Sequence, residues 1–136
     1  MRRGRRKPPS LLFRSRTHSV SIARPPAEVF AFVADVGNWP RWAVLTVRGV
    51  RRSEEGWVLE GVEGDRLLTL AADAAFGLLD HRLGDWSVAM RVVANGDGSE
   101  VVATFFQPVG MDEREFEQAS NVRERELKAL KVVLER

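Results

Sequence analysis

Residues 78–106, LLDHRLGDWSVAMRVVANGDGSEVVATFF, decide the fold. Three strand-like runs are separated by Gly84-Asp85 and by Asn95-Gly96-Asp97-Gly98. Asn-Gly and Gly-Asp pairs suit the tight turns of two-residue hairpins. A turn at Gly84-Asp85 pairs Leu83 with Trp86, His81 with Val88 and Leu79 with Met90. A turn with its tip at Gly96-Asp97 pairs Val92 with Val101, Met90 with Ala103 and Val88 with Phe105. Both registers put Val88 and Met90 on the same face. A slip by one residue would turn every side chain over, so the agreement fixes which face is apolar.

The same pattern extends upstream. Strand-like runs cover about 43–52, 56–63, 66–74 and 76–83, followed by 86–94 and 99–107. Glu54-Glu55-Gly56, Glu63-Gly64 and a bend near Ala75 separate the early ones. A turn at Glu63-Gly64 pairs Leu59 with Leu68 and Trp57 with Leu70. Thr17–Ala23 alternates, with His18, Val20 and Ile22 on one side, and supplies a seventh strand. One predicted sheet face carries Trp57, Leu59, Leu68, Leu70, Leu79, His81, Leu83, Trp86, Val88, Met90, Val92, Val101, Ala103, Phe105 and Gln107. The other carries Glu60, Thr69, Asp80, Arg82, Ser87, Arg91, Glu100 and Thr104, and is expected to be wet.

Arg24-Pro25-Pro26 ends the first strand, and Pro26 suits the first turn of a helix over about 26–35. Gly37-Asn38 breaks that helix, and Trp39-Pro40-Arg41-Trp42 reads as a second, very short one. Asp112–Arg136 is a long helix. Phe116, Ser120, Arg123, Leu127, Leu130 and Leu134 form a continuous inward stripe along it, and Glu124 and Lys128 lie one turn apart on the other face. The predicted class is α+β. A seven-stranded antiparallel curved sheet wraps around the long C-terminal helix, with two short helices after the first strand.

The chain has 136 residues, one domain's worth, and a formal net charge of +2. Seven basic and no acidic side chains fall in residues 1–16, which leaves 14 basic against 19 acidic in residues 17–136. We therefore read 1–16 as a disordered basic tail and 17–136 as a mildly acidic folded domain, an unsuitable face for nucleic acid. Contact with nucleic acid or an acidic membrane is open only to the tail. No export signal is legible, so a cytoplasmic location is expected. The absence of cysteine excludes disulfides, thiolate catalysis and Cys-ligated zinc. No Asp/Glu/His spacing suggests a metal site, no glycine loop suggests a nucleotide, and no cofactor is expected. The oligomeric state is not legible.

A curved sheet gripping one helix tends to leave a cavity between them. Three polar groups, His81, Gln107 and Arg123, point into this otherwise apolar interior, the usual composition of a small-molecule site. His81 has either a general acid/base role or a structural one, bonded to a backbone carbonyl or to Gln107. Asp80 adjoins it, but neighbours in a strand face opposite ways, so the two do not form a dyad. Arg123 either holds a carboxylate or enolate, or runs its stem out to the rim. Trp57, Leu59, Leu70, Trp86, Met90 and Phe105 on the sheet, with Phe116 and Leu127 on the helix, either clasp an apolar or aromatic ligand or simply fill the core.

The run Ser19–Asp35 (SVSIARPPAEVFAFVAD), followed by Asn38-Trp39-Pro40-Arg41-Trp42, resembles the opening of the START-like superfamily, also called SRPBCC or Bet v 1-like. Phe76–His81, Met90–Val93, Asn95–Val101 and Phe105–Met111 resemble its polyketide-cyclase-like branch. The resemblance covers about residues 17–136. It implies a helix-grip fold with a lipophilic cavity under the last helix. The superfamily spans enzymes, carriers, receptors and chaperone activators, so fold leaves function open. Three readings stand. One is a binding protein for an apolar or aromatic small molecule, with polyketide- and lipid-like ligands among the candidates. The second is a cyclase or dehydratase in which His81 shuttles a proton and Arg123 stabilises an enolate. The third is an interaction module whose cavity has collapsed.

Overall fold

The fold is that of a computed structural model, which describes residues 11–136. β1 (Ser15–Ile22) ends before the two prolines, and α1 (Pro26–Ala34) starts on Pro26 with Pro25 at its N-cap. A 3-10 turn (Val36–Asn38) follows, its entry capped by Asp35, which accepts from Gly37 N at 3.0 Å. α2 (Trp39–Trp42) is a single turn. β2 (Val47–Ser53), β3 (Gly56–Gly61), β4 (Gly64–Asp73), β5 (Leu78–Leu83), β6 (Trp86–Asn95) and β7 (Gly98–Phe106) form a meander, and α3 (Glu113–Leu134) ends it.

The seven strands make one antiparallel sheet in the order β1-β7-β6-β5-β4-β3-β2. β1 and β2 are therefore opposite edges, and α1 with α2 carries the chain between them. α1 packs against β5, β6 and β7, and α2 against β2 and α3. α3 lies along β1 and α2, burying Phe116, Ser120, Leu127, Leu130 and Leu134. Its N-terminus is capped by Asp112, which accepts from Glu115 N at 2.8 Å, and Glu113 and Glu115 complement its dipole.

The hairpins β5–β6 and β6–β7 have the predicted registers, Leu83 opposite Trp86, His81 opposite Val88, and Met90 opposite Ala103. Hairpin β3–β4 does not. Its turn falls on Val62-Glu63, so Trp57 faces Leu68 and Leu59 faces Arg66, two residues away from the expected register. Gly64 has φ +119°, and it closes the ladder opposite Gly61 instead of sitting in the turn. A two-residue shift keeps the faces, and Leu59 and Leu68 are both buried as expected. The strand predicted from residue 43 begins only at Val47, because Ala43 N bonds back to Trp39 O at 2.7 Å and closes the α2 turn.

Most of the expected basic tail, Arg2 to Lys7, lies outside the described residues. The boundary drawn at residue 16 falls inside β1, and Arg14 and Arg16 pair with Glu113 and Glu117 of α3. Both guanidinium groups also lie over the Phe116 ring, at 5.9 and 5.5 Å. Among the described residues no helix is long and apolar enough to cross a membrane.

Two left-handed glycines flank β5. Gly77 has φ +65°, and a Cβ there would lie 2.2 Å from the Val92 carbonyl, whose own N–H bonds to Gly77 O at 3.0 Å. Gly84 has φ +57° with open space around it. Gly84→Ala is expected to lose about 1 kcal/mol from backbone strain alone, and Gly77→Ala clearly more, about 2–4 kcal/mol. Urea denaturation of the two variants side by side measures the difference, and equal losses would contradict the packing described at Gly77.

Candidate functional site

The half of the sheet formed by β2, β3 and β4 stands away from α3. The space between them is a cleft of about 630 Å³. Val47, Leu59, Leu83, Trp86, Met111 and Val122 supply apolar lining, and Arg66, Arg123, Arg125, Glu63 and Glu115 supply charge. Gln118 and Asn121 add amides from α3. Trp86 stands at the start of β6, where its ring packs 5.4 Å from Phe105 and 6.4 Å from Phe116. Its Nε1–H is buried and has no hydrogen-bond partner. A buried donor without an acceptor is costly, so this N–H is a strained point of the packing beside the cleft.

Arg123 lines the same cleft with a side chain only 12% exposed. Its partner is Glu126, one turn along α3 and fully buried, at 3.2 Å. The other oxygen of Glu126 accepts three bonds from the loop before β2: Leu45 N at 3.1 Å, Thr46 N at 3.0 Å and Thr46 Oγ1 at 2.8 Å. Burial draws the Arg123 guanidinium below its usual value, Glu126 opposes that, and Arg66 adds to it. An arginine so placed remains a cation, and its N–H donors outnumber the one bond to Glu126.

A family model described as "polyketide cyclase / dehydrase and lipid transport" matches residues 14–135. The chain belongs to this family. Its fold is shared with solved structures of low identity. One is the Zhui aromatase/cyclase from Streptomyces sp. R1128, at TM-score 0.70 and 21% identity, covering 92% of this chain and 95% of that one. A START superfamily protein from Mycobacterium smegmatis gives TM-score 0.67 and 15% identity, covering 89% of this chain and 97% of that one. The di-domain aromatase/cyclase BexL of the BE-7585A biosynthetic pathway gives TM-score 0.71 and 23% identity, covering 88% of this chain and 45% of that one. No curated protein matches the sequence.

Within this polyketide-cyclase-like fold, the candidate residues take several different places. Leu59, Trp86 and Arg123 line the cleft. Met90, Phe105, Phe116 and Leu127 are no more than 1% exposed and fill the interior beside it. Trp57 and Leu70 are partly buried against that core, and the Arg52 guanidinium lies 4.9 Å above the Trp57 ring. The Gln107 amide donates to Met111 O at 2.8 Å and so shapes the loop before α3. Asp80 and His81 do face opposite ways: Asp80 accepts from Met90 N at 2.9 Å, while His81 is buried. Among the described residues, no three His, Asp or Glu side chains gather where they could hold a metal ion.

His81 lies outside the cleft lining, edge-on to Trp39 at 5.0 Å. Its Nδ1 is 2.9 Å from Leu79 O, so Nδ1 carries the proton and donates. Nε2 then holds a lone pair that is buried and unpartnered. Desolvation drives its pKa down from 6.5 to about 4; the Leu79 carbonyl opposes this, Arg123 reinforces it, and Asp80 opposes it. His81 is therefore neutral at pH 7.

Two further polar residues were not singled out in the sequence. Glu126 looks like one more charged residue on a charged helix; its only signal is that it sits three residues after the inward Arg123. His18 Nε2 lies 2.8 Å from Ser120 Oγ, and its Nδ1 lies 3.6 Å from Glu124.

The depressed pKa of His81 has a stability consequence. The unfolded chain takes up this proton near pH 6.5 and the folded chain only near pH 4. The contribution is complete above pH 6.5 and is lost as pH falls to about 4, a change of about 3 kcal/mol. NMR titration should place the His81 ring transition near pH 4. His81→Phe should flatten the fall in urea midpoint between pH 6.5 and 4, and a His81 titrating at or above 6.5 would contradict the buried, neutral ring.

Proposed function

We infer that this protein binds an apolar or aromatic small molecule in the cleft between α3 and β2–β4. One oxygen acceptor of the ligand would meet Arg123. A single observation carries the reading: a guanidinium only 12% exposed and the ring of Trp86 line the same largely apolar cleft. Apolar walls supply affinity through buried area, and a few fixed donors supply orientation. The family description, which includes lipid transport, supports a hydrophobic cargo. A cleft of about 630 Å³ weighs against a collapsed interior and matches the size of common ligand sites.

The second reading is an enzyme of cyclase or dehydratase type. The unpartnered Nε2 of His81 favours it, since that lone pair can accept a proton. In that reading Arg123 stabilises an enolate oxygen as charge develops on it. The position of His81 outside the cleft lining, and its weak basicity, favour simple binding.

The neutral fluorescent probe N-phenyl-1-naphthylamine tests the binding reading. The wild-type protein should bind one equivalent with enhanced fluorescence. Ala119→Trp places an indole into the cleft from a half-buried position of α3, and should abolish probe binding with helix content and Tm unchanged. Equal binding by wild type and variant would place the probe elsewhere and overturn the assignment of this cleft.

A further inference from the structure

The charges around the cleft cancel. Arg66 lies 3.7 Å from Glu63, and Arg123 lies 3.2 Å from Glu126. Glu115 and Arg125 add one charge of each sign to the lining. The cancellation at Arg123 is the consequential one, because it occurs at the buried end. Glu126 accepts hydrogen bonds at both oxygens and is fully buried, so its side chain cannot turn away to solvent. Arg123 keeps its remaining N–H donors but loses its excess positive potential.

We propose that Glu126 sets the charge selectivity of this cleft. With Arg123 compensated from behind, the floor is a neutral site of strong donors that takes a ketone or other uncharged carbonyl in preference to a carboxylate. This rests on the binding reading above and narrows its ligand class. An entering carboxylate would lose its hydration in an apolar cleft, which is costly without a net opposite charge. It would also meet the field of Glu126 from beyond the guanidinium. A carbonyl oxygen loses much less hydration and gains the Arg123 donors. Glu126 acts through Arg123 and the Leu45–Thr46 loop, without lining the cleft itself, and is thus a positioning and specificity residue.

The test compares two ligands of one shape, 2-acetonaphthone and 2-naphthoate, by displacement of N-phenyl-1-naphthylamine at pH 7. Wild type should bind the ketone more tightly. Glu126→Gln keeps an oxygen for the loop donors and removes the charge. It should shift the ketone-to-carboxylate ratio toward naphthoate by about tenfold or more, as expected for one unit charge a few ångströms away at partly screened dielectric. Glu100→Gln removes one negative charge from the opposite face of the sheet, away from the cleft, and should leave that ratio unchanged. Wild-type preference for naphthoate overturns the proposal whether or not Glu126→Gln folds. So does an unchanged ratio in folded Glu126→Gln, or a ratio shifted as much by Glu100→Gln. A wild-type protein that binds neither ligand nor the probe removes the binding reading, and the selectivity proposal with it.

Discussion

The carboxylate of Glu126 joins three parts of the molecule that are far apart in sequence. It fixes the middle of α3, orients Arg123 in the cleft, and accepts the backbone N–H groups of Leu45 and Thr46. Those N–H groups fall between the α2 turn and β2, where no strand partner exists for them. An unpaired buried carboxylate would cost several kcal/mol, and this one is tolerable because four donors surround it. The cleft inherits its shape from the arrangement, since Leu45, Thr46 and Val47 form one wall and Arg123 part of the opposite one. The interaction that closes the fold at this corner therefore also sets the electrostatics of the space beside it.

The sheet is used unequally. Over β5, β6, β7 and β1 the concave face is filled. Trp39 packs between Trp42 at 5.1 Å and His81 at 5.0 Å, and its Nε1–H donates to Val33 O at 2.9 Å. Phe105 meets Phe116 edge-on at 6.0 Å, with Trp86 beside both. These rings bring α1, α2 and α3 onto the sheet and leave no comparable bulk over β2–β4. Trp86 sits at the boundary, its ring belonging to the packed side and its N–H left without a partner.

The fold was legible because its signals are local. Gly84-Asp85 and Asn95-Gly96 specify tight turns, and alternation in β6 and β7 leaves only one face apolar. Hairpin β3–β4 was read two residues out because Val62-Glu63-Gly64 offers competing turns, and alternation of period two cannot tell registers two apart. The site was less legible, because a cleft is a gap between elements and pattern reports only which way a side chain faces. Arg123 was found from the helix stripe, Trp86 and Leu59 from their strands. Phe105, Met90, Phe116 and Leu127 share that inward direction but lie where the interior is full. Glu126 was invisible because its burial depends on a loop 80 residues away in sequence offering it donors.

His18, Ser120 and Glu124 have the hydrogen-bonding order of a hydrolytic triad, hydroxyl to Nε2 and carboxylate beyond Nδ1. Their setting argues for another role. Ser120 is 3% exposed in the middle of α3, beneath β1, and does not line the cleft. A nucleophile there has no route to an acyl group. The neighbouring N–H groups of α3 are spent within the helix, so they cannot stabilise an oxyanion. What the trio does is join β1 to α3 through a polar contact inside an apolar seam, with the His18 ring 5.9 Å from Phe105. A polar pair in such a seam can bond well in only one alignment of strand and helix, so it fixes the position of α3 along β1. That position in turn places Arg123, three residues beyond Ser120, on the side of the helix that faces the cleft.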